Sequence, residues 1–330
     1  MQVTFSITRY STQQHTYIQQ YKLQMQPGQT VLDGLLAIKA EQDGTLAFRK
    51  NCRNTICGSC AMSINGRSTL ACKENIHHEV SRFGRNEITI APLGNLPVVR
   101  DLIVDMQPFW DDLEAVDPYV STQGRTVPER EFLQTPEQRS QLEQMGNCIL
   151  CGACYSECNA KAVNPDFVGP HALAKAQRLV GDNRDSQTAD RLKQYGEDLS
   201  GVWGCTRCYQ CNNVCPMGVE PMEQISKLKQ SILDKAKPQD SHQASRPVRH
   251  RKALVELVKS GGWIDERQFG VQVVGNYFRD LKGLLSLAPL GLRMLARGKF
   301  PLSFEPSEGT EEVRNLITAV QEKKATSTSA

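Results

Sequence analysis

The spacing of twelve cysteines constrains the fold of this chain more than any other feature of its 330 residues. They fall into three groups, and none is left over. The first group has gaps of four, two and eleven residues, between Cys52, Cys57, Cys60 and Cys72. The other two groups have gaps of two, two and three residues, between Cys148, Cys151, Cys154 and Cys158 and between Cys205, Cys208, Cys211 and Cys215. Each group predicts a site at which several thiols meet.

The thiols are predicted to bind metal rather than to form disulfides. Residues 1–14 lack the basic and apolar regions of a secretory signal, which predicts a cytoplasmic protein whose cysteines stay reduced. The longest nearly uncharged apolar stretch, Gly283–Leu292, is about half as long as a membrane-spanning helix and contains Pro289. With 39% apolar and 23% charged residues, neither a disordered nor a membrane-embedded chain is expected. No transmembrane helix and no nucleic-acid partner are predicted.

The first cysteine group has the spacing of the plant-type [2Fe–2S] ferredoxin loop. Gly58 and Ser59 lie between ligands, as expected where a tight loop must aim backbone amides at the sulfurs. Zinc is the alternative, although a zinc site usually has two short cysteine pairs. We therefore predict a [2Fe–2S] cluster held by Cys52, Cys57, Cys60 and Cys72.

The residues around this loop predict a β-grasp ferredoxin scaffold. Residues 3–7 alternate between apolar and polar side chains and predict a strand, with residues 17–25 as its hairpin partner. A capping box at residues 30–33 begins a helix. An Asn-Gly pair at residues 65–66 predicts a tight hairpin, which returns the chain to Cys72.

The second and third groups follow the bacterial ferredoxin spacing, in which three cysteines hold one cubane cluster and the fourth ligates the other. Pro216, directly after the last cysteine, fits this pattern, whereas Asn159 replaces the corresponding proline. A pair of structural zinc knuckles is the alternative. The predicted ligands of cluster A are Cys148, Cys151, Cys154 and Cys215. The predicted ligands of cluster B are Cys158, Cys205, Cys208 and Cys211.

A [2Fe–2S] domain followed by a two-cluster domain resembles the iron–sulfur subunit of succinate dehydrogenase and fumarate reductase. The stretch between the two cubane runs is similar to that family as well. It begins with Asn164-Pro-Asp-Phe-Val-Gly-Pro170 and continues through Leu173, Ala176, Arg178, Asp182, Arg184, Asp185, Asp190, Arg191 and Leu192. The likeness covers roughly residues 1–237.

The resemblance implies an electron-transfer subunit of the tricarboxylic acid cycle and the respiratory chain. Its partner would be a flavoprotein subunit that carries FAD and oxidises succinate. Electrons would pass from FAD through the [2Fe–2S] cluster, cluster A and cluster B towards quinone. This chain would carry no substrate-converting site, and it would lie peripherally on the cytoplasmic face of a membrane.

Two departures from the family pattern concern cluster B. Most members lack the second cysteine of the third run and hold a [3Fe–4S] cluster, but Cys208 is present here and predicts a second [4Fe–4S] cluster. This is similar to an atypical class whose partner is a cysteine-rich, heterodisulfide reductase-like subunit in place of a membrane anchor. The usual quinone-site residues are also missing, since residues 159–163 contain no tryptophan and Thr206 stands where a histidine is typical. Quinone is therefore expected to be reached via a partner.

The region beyond residue 240 extends past the end of typical family members. Helical spacing of apolar residues follows Arg249, ends at Gly261-Gly262 and resumes over residues 271–287. From Arg246 to Lys299 there are eleven Lys and Arg against four Asp and Glu, a net charge of +7. A solvated basic face is the alternative to a surface for an anionic membrane or a partner.

The sequence thus predicts an α+β chain of three parts. Residues 1–105 form the β-grasp 2Fe–2S domain, residues 106–240 an all-α two-cluster domain, and residues 241–330 an amphipathic helical extension. The competing functions are a soluble ferredoxin-type carrier and a heterodisulfide reductase-like subunit. The first cysteine group argues against the latter, because such subunits do not usually carry a [2Fe–2S] domain.

Overall fold

The computed structural model describes residues 1–10, 15–196, 199–235, 245–300 and 303–328, with side chains as far as Lys323. The chain divides into two compact units, Met1–Ile232 and Leu233–Ala330, which are described separately. The predicted boundary at residues 240 and 241 lies outside the described residues. The boundary at residues 105 and 106 falls inside the first unit, and both boundaries stay predictions.

The first unit begins with a mixed sheet in the spatial order β2-β1-β5-β3-β4. Its strands are β1 Gln2–Tyr10, β2 Thr16–Gln24, β3 Ala61–Ile64, β4 Arg67–Leu70 and β5 Glu87–Ala91. β1 and β5 pair in parallel at its centre, and the other neighbours are antiparallel. A small hairpin follows, of β6 Val98–Arg100 and β7 Ile103–Val104. The β-grasp assignment stays a prediction that this strand order supports.

Helix α1, Val31–Ala37, covers the sheet and continues into a π-helical turn, Ile38–Gln42. The predicted capping box is confirmed, because Thr30 accepts from the Asp33 amide and the Asp33 carboxylate accepts from the Thr30 amide. Gly34 on this helix lies directly against the buried ring of Phe5. The predicted hairpin is confirmed as well, since both turn residues, Asn65 and Gly66, have positive φ.

The rest of the first unit is helical. Its helices are α2 Ile76–Phe83, α3 Gln107–Glu114, α4 Pro136–Gly146, α5 Ala153–Ser156, α6 Asn159–Val163, α7 Gly169–Val180, α8 Thr188–Tyr195, α9 Gln210–Asn213 and α10 Pro221–Lys235, which continues past the end of the unit at Ile232. α7 packs against α3, α4, α5 and α8 and forms the centre of this region. The chain is therefore α+β, with a strand-rich start and a helical continuation, as predicted.

A buried arginine fixes the chain that follows α3. Arg191 on α8 pairs with Asp185 at 3.1 Å, and its guanidinium also donates to the carbonyl oxygens of Asp117 and Tyr119 at 2.9 and 2.7 Å. Tyr195 donates to the carbonyl oxygen of Val116 at 2.8 Å. Residues from the stretch between the two cubane runs thus hold the chain that follows α3 in place.

The second unit is helical, with α11 Arg246–Gly261, α12 Glu266–Phe269, a π-helical turn Gly270–Val274, α13 Leu281–Ser286, α14 Ala288–Ala296 and α15 Thr310–Thr328. The predicted end of α11 is confirmed, with Gly262 in the left-handed conformation. A continuous helical pattern over residues 271–287 was wrong, because residues 276–278 all have positive φ and break it. Asp280 then caps α13 by accepting from the Gly283 amide at 2.7 Å. Over the described ranges, no helix combines the length and apolar character needed to cross a membrane.

Candidate iron–sulfur sites

The first cysteine loop turns its backbone amides towards its own sulfurs. The Asn54 amide donates to Cys52 Sγ and the Thr55 amide to Cys72 Sγ, both at 3.3 Å. The Cys57 amide also donates to Cys52 Sγ at 3.3 Å. Positive φ angles at residues 53, 55 and 58 produce this orientation. Such N–H···S bonds stabilise thiolate sulfur, which is the donor an iron–sulfur cluster requires.

The thiols of this loop differ in burial and in acidity. Burial raises the pKa of Cys60 to about 12. Cys57 is affected by burial in the same sense, but hydrogen bonds from Ser59 and from the Cys52 amide outweigh it and lower its pKa to about 6. The hairpin β3-β4 returns the chain so that the thiolates of Cys60 and Cys72 act on each other. The structure therefore brings the predicted donors of this site together.

Four thiols from the second and third groups line one cavity of the first unit. They are Cys148, Cys151, Cys154 and Cys215. The cavity walls also include Phe109, His171, Leu150 and Val219. Burial, together with the neighbouring thiolates of Cys148 and Cys215, raises the pKa of Cys151 to about 11. A set of four thiols in an apolar enclosure fits a cubane cluster, whose charge would offset the cost of burying thiolates.

The remaining four thiols form a second set. Burial raises the pKa of Cys211 to about 12, and the thiolates of Cys205, Cys158 and Cys208 add to the effect. Burial likewise raises the pKa of Cys158, with further contributions from Cys205 and Cys208. The last cysteine of each run thus lies with the first three of the other run. The two runs interlock, as the bacterial ferredoxin spacing predicts.

The second and third runs share a backbone turn. In the second run, the residues on both sides of Cys151, Leu150 and Gly152, have φ angles of 54° and 83°. In the third run, the residues on both sides of Cys208, Arg207 and Tyr209, have φ angles of 60° and 63°. A short helix follows each turn, α5 and α9. Cys208 therefore occupies the position that Cys151 has in the second run.

The first cysteine loop touches the second run at a glycine. A Cβ atom on Gly58 would lie 2.9 Å from both Cα and Cβ of Cys151. Asn95 holds the same region from the other side, because its side-chain amide donates to the carbonyl oxygens of Tyr155 and Cys158 at 2.8 and 3.0 Å. The loop of the first site and the cavity of the second are direct neighbours.

His171 is a residue of this region that the sequence did not indicate. It is buried, stacks on Phe109 with ring centroids 3.8 Å apart, and lines the four-thiol cavity. Its Nε2 lies 2.9 Å from the Phe109 carbonyl oxygen, and burial lowers its pKa to about 3. The side chain is therefore a neutral imidazole that donates from Nε2. A single histidine within an apolar helical pattern does not indicate, from sequence alone, that its side chain lies beside the thiols.

A group of three or more Cys, His, Asp or Glu side chains arranged to hold one metal ion is not found in the described part of the chain. The predicted ligands belong to clusters of two and four irons, in which four cysteine sulfurs are divided among two or four iron atoms rather than one metal ion.

Comparison with protein families gives two matches. Residues 4–111 match the 2Fe–2S iron–sulfur cluster binding domain, and residues 144–219 match the 4Fe–4S dicluster domain. Both kinds of iron–sulfur domain are therefore present, in the predicted order.

Curated relatives are iron–sulfur subunits. The chain is 39% identical over 212 residues to the fumarate reductase iron–sulfur subunit of Mycobacterium tuberculosis, covering 64% of this chain and 84% of that protein. It is 37% identical over 239 residues to the mitochondrial succinate dehydrogenase iron–sulfur subunit 1 of Oryza sativa, covering 70% and 82%. It is 39% identical over 204 residues to the mitochondrial succinate dehydrogenase iron–sulfur subunit 2 of Oryza sativa, covering 61% of this chain and 64% of that protein.

A solved structure shows the same fold. One chain of the Mycobacterium smegmatis Sdh1 complex in the apo form matches with a TM-score of 0.62 at 24% identity, covering 72% of this chain and 98% of that chain. Together with the domain order and the identity to curated relatives, this establishes that the chain belongs to the family of succinate dehydrogenase and fumarate reductase iron–sulfur subunits.

Proposed function

We propose that this chain holds three clusters and relays electrons from a flavoprotein subunit with FAD towards quinone. The [2Fe–2S] ligands are Cys52, Cys57, Cys60 and Cys72. The ligands of the first [4Fe–4S] cluster are Cys148, Cys151, Cys154 and Cys215. The ligands of the second are Cys158, Cys205, Cys208 and Cys211. When bound, these clusters supply the one-electron steps that connect a two-electron flavin reaction to a distant acceptor.

The observation that carries the proposal is the cavity lined by four thiols from two separate runs. The chain's own residues do three things there. Backbone amides donate to the sulfurs, as Val219 does to Cys215 at 3.4 Å. The rings of Phe109 and His171 exclude water from one wall of the cavity. Gly58, without a side chain, lets the first loop approach the backbone of Cys151.

The proposal predicts ten iron atoms per chain, in clusters of two, four and four. Iron and sulfide analysis of anaerobically purified protein, with EPR of its oxidised and reduced states, measures this. Cys208 supports a complete second cubane because it has the position of Cys151 in the shared turn. A strong [3Fe–4S] signal in fresh anaerobic material would contradict the role given to Cys208.

The partners proposed for this chain are the flavoprotein subunit and one further subunit, which is a membrane anchor or a cysteine-rich, heterodisulfide reductase-like protein. Quinone is reached via that subunit, and the assembly lies peripherally on the cytoplasmic face of a membrane. Purification of the native complex tests this. Co-elution with a larger flavoprotein is expected. Elution of the loaded chain alone would favour a soluble ferredoxin-type carrier.

A further inference from the structure

The second unit presents a row of leucines to solvent. Along α13 and α14, Leu281, Leu285, Leu292 and Leu295 are exposed, with Leu285 71% and Leu292 66% accessible. We call these four residues the leucine stripe. Leu281 and Leu285 lie about one turn apart on α13, and Leu292 and Leu295 lie about one turn apart on α14, while Leu284 turns inward against Gly275. A solvated helix would carry polar residues on its outer face, so this stripe is a surface made for an apolar environment.

Exposed cations lie next to the leucine stripe along the chain. Between residues 278 and 300 the chain carries Arg279, Lys282, Arg293, Arg297 and Lys299. The only carboxylate in this segment is Asp280, which is engaged as the cap of α13. The segment therefore presents exposed leucines interspersed with exposed cations. That combination complements an apolar phase with anionic groups at its boundary.

We propose that the leucine stripe inserts into the interface of an anionic membrane and that the neighbouring lysines and arginines bind lipid headgroups. α14 has nine residues and is about 14 Å long, so it would lie along the bilayer surface, whose core is about 30 Å thick. Exposed aromatic rings at both ends of the segment, Phe278 and Phe300, suit the interfacial zone. The inference deepens the proposed membrane attachment and rests on it, but it is independent of the cluster assignments.

Vesicle flotation of the full-length protein loaded with its clusters tests the proposal. The vesicles contain phosphatidylcholine alone or phosphatidylcholine with an equal amount of phosphatidylglycerol. Binding to the anionic vesicles is expected to be at least about tenfold stronger, and to weaken as salt is added. Equal binding to both vesicles, or no binding, would overturn the proposal.

Two double variants show whether the stripe itself is responsible. Leu285→Glu with Leu292→Glu should lower binding to anionic vesicles by about tenfold or more, because it places carboxylates in the inserted face. The matched control is Leu316→Glu with Val320→Glu on α15, where the side chains are 67% and 60% exposed, and it should bind as the unchanged protein does. Equal loss in both variants would refute the assignment to the stripe.

Iron content and the circular dichroism spectrum are measured in the same preparations. A protein that floats with the vesicles but lacks clusters would support the membrane-binding proposal and contradict the proposed electron relay. A protein that has its full iron content but does not bind vesicles would support the cluster assignments and contradict the membrane-binding proposal. If the stripe variant instead lost a co-purifying protein, the surface would belong to a protein partner and the membrane proposal would fail.

Discussion

The second and third cysteine runs form the same type of backbone turn, but the two turns lie in different surroundings. The second run lies in an apolar cavity, where Leu93 and Met106 approach Gly152 within 3.3 and 3.5 Å of a Cβ position. In the third run, residues 206–210 are all exposed, and Cys208 is among them. Ligand spacing thus determines how the chain turns around a cluster, while the packing determines how much water and oxygen reach it. Since burial and hydrogen bonding tune iron–sulfur potentials, the two sites are expected to differ in potential.

The largest effect is expected from removing the equivalent cysteine in each run. Cys151→Ser should prevent assembly of the first cubane and destabilise the unit, because it removes one of the four thiols that line the buried cavity. Cys208→Ser should leave a three-iron centre, because its position is exposed and three thiols remain. Iron content and EPR of both variants measure the difference. Equal losses of iron would show that the two surroundings do not matter.

A smaller effect is expected from adding a methyl group where the first loop meets the second run. Gly58→Ala should lower the free energy of unfolding by about 3 kcal/mol, because it combines a positive φ with a close approach to backbone atoms. The control, Gly28→Ala, has a φ of 88° but open space around its Cβ position and should cost only about 1 kcal/mol. Urea unfolding of both proteins measures the comparison. If the two variants lose the same stability, the loops do not touch.

A still smaller difference in stability is expected between substitutions in the backbone turn that the second and third runs share. Gly152→Ala should cost about 1 kcal/mol, because φ is 83° and the nearest atom belongs to the flexible Leu93 side chain. Tyr209→Gly, at the equivalent place in the third run, should change stability by less than about 0.5 kcal/mol, because relief of the left-handed strain is offset by a more flexible unfolded chain. Urea midpoints again measure both. A large loss for Tyr209→Gly would mean that packing of its ring within this chain stabilises the third run.

The least change in iron content is expected from deleting residues 245–330. Every cysteine lies in the first unit, Met1–Ile232, so all three clusters should assemble in the truncated chain. Succinate oxidation with a small artificial dye should survive in the complex, while quinone reduction and membrane attachment should fall sharply. Iron analysis and the two activity assays measure this. Quinone reduction at the full rate would show that the extension has no part in it, and would direct attention to a pocket near Thr206.

Local features were predicted well because their causes lie within a few residues. The capping box at Thr30 and the Asn65-Gly66 turn depend only on neighbouring backbone and side-chain groups. The pattern over residues 271–287 failed for a different reason. Apolar spacing does not reveal that three successive residues adopt positive φ, in a turn after which Leu284 packs back against Gly275.

The sequence by itself determined that twelve cysteines form three groups with iron–sulfur spacing, because spacing is a property of the chain. Only the tertiary structure decided which surroundings each group has. It set Gly58 against Cys151 and buried His171 beside the thiols. It also left the leucine stripe on the outside of the second unit. Contacts between residues distant in the chain depend on packing, which no local pattern records.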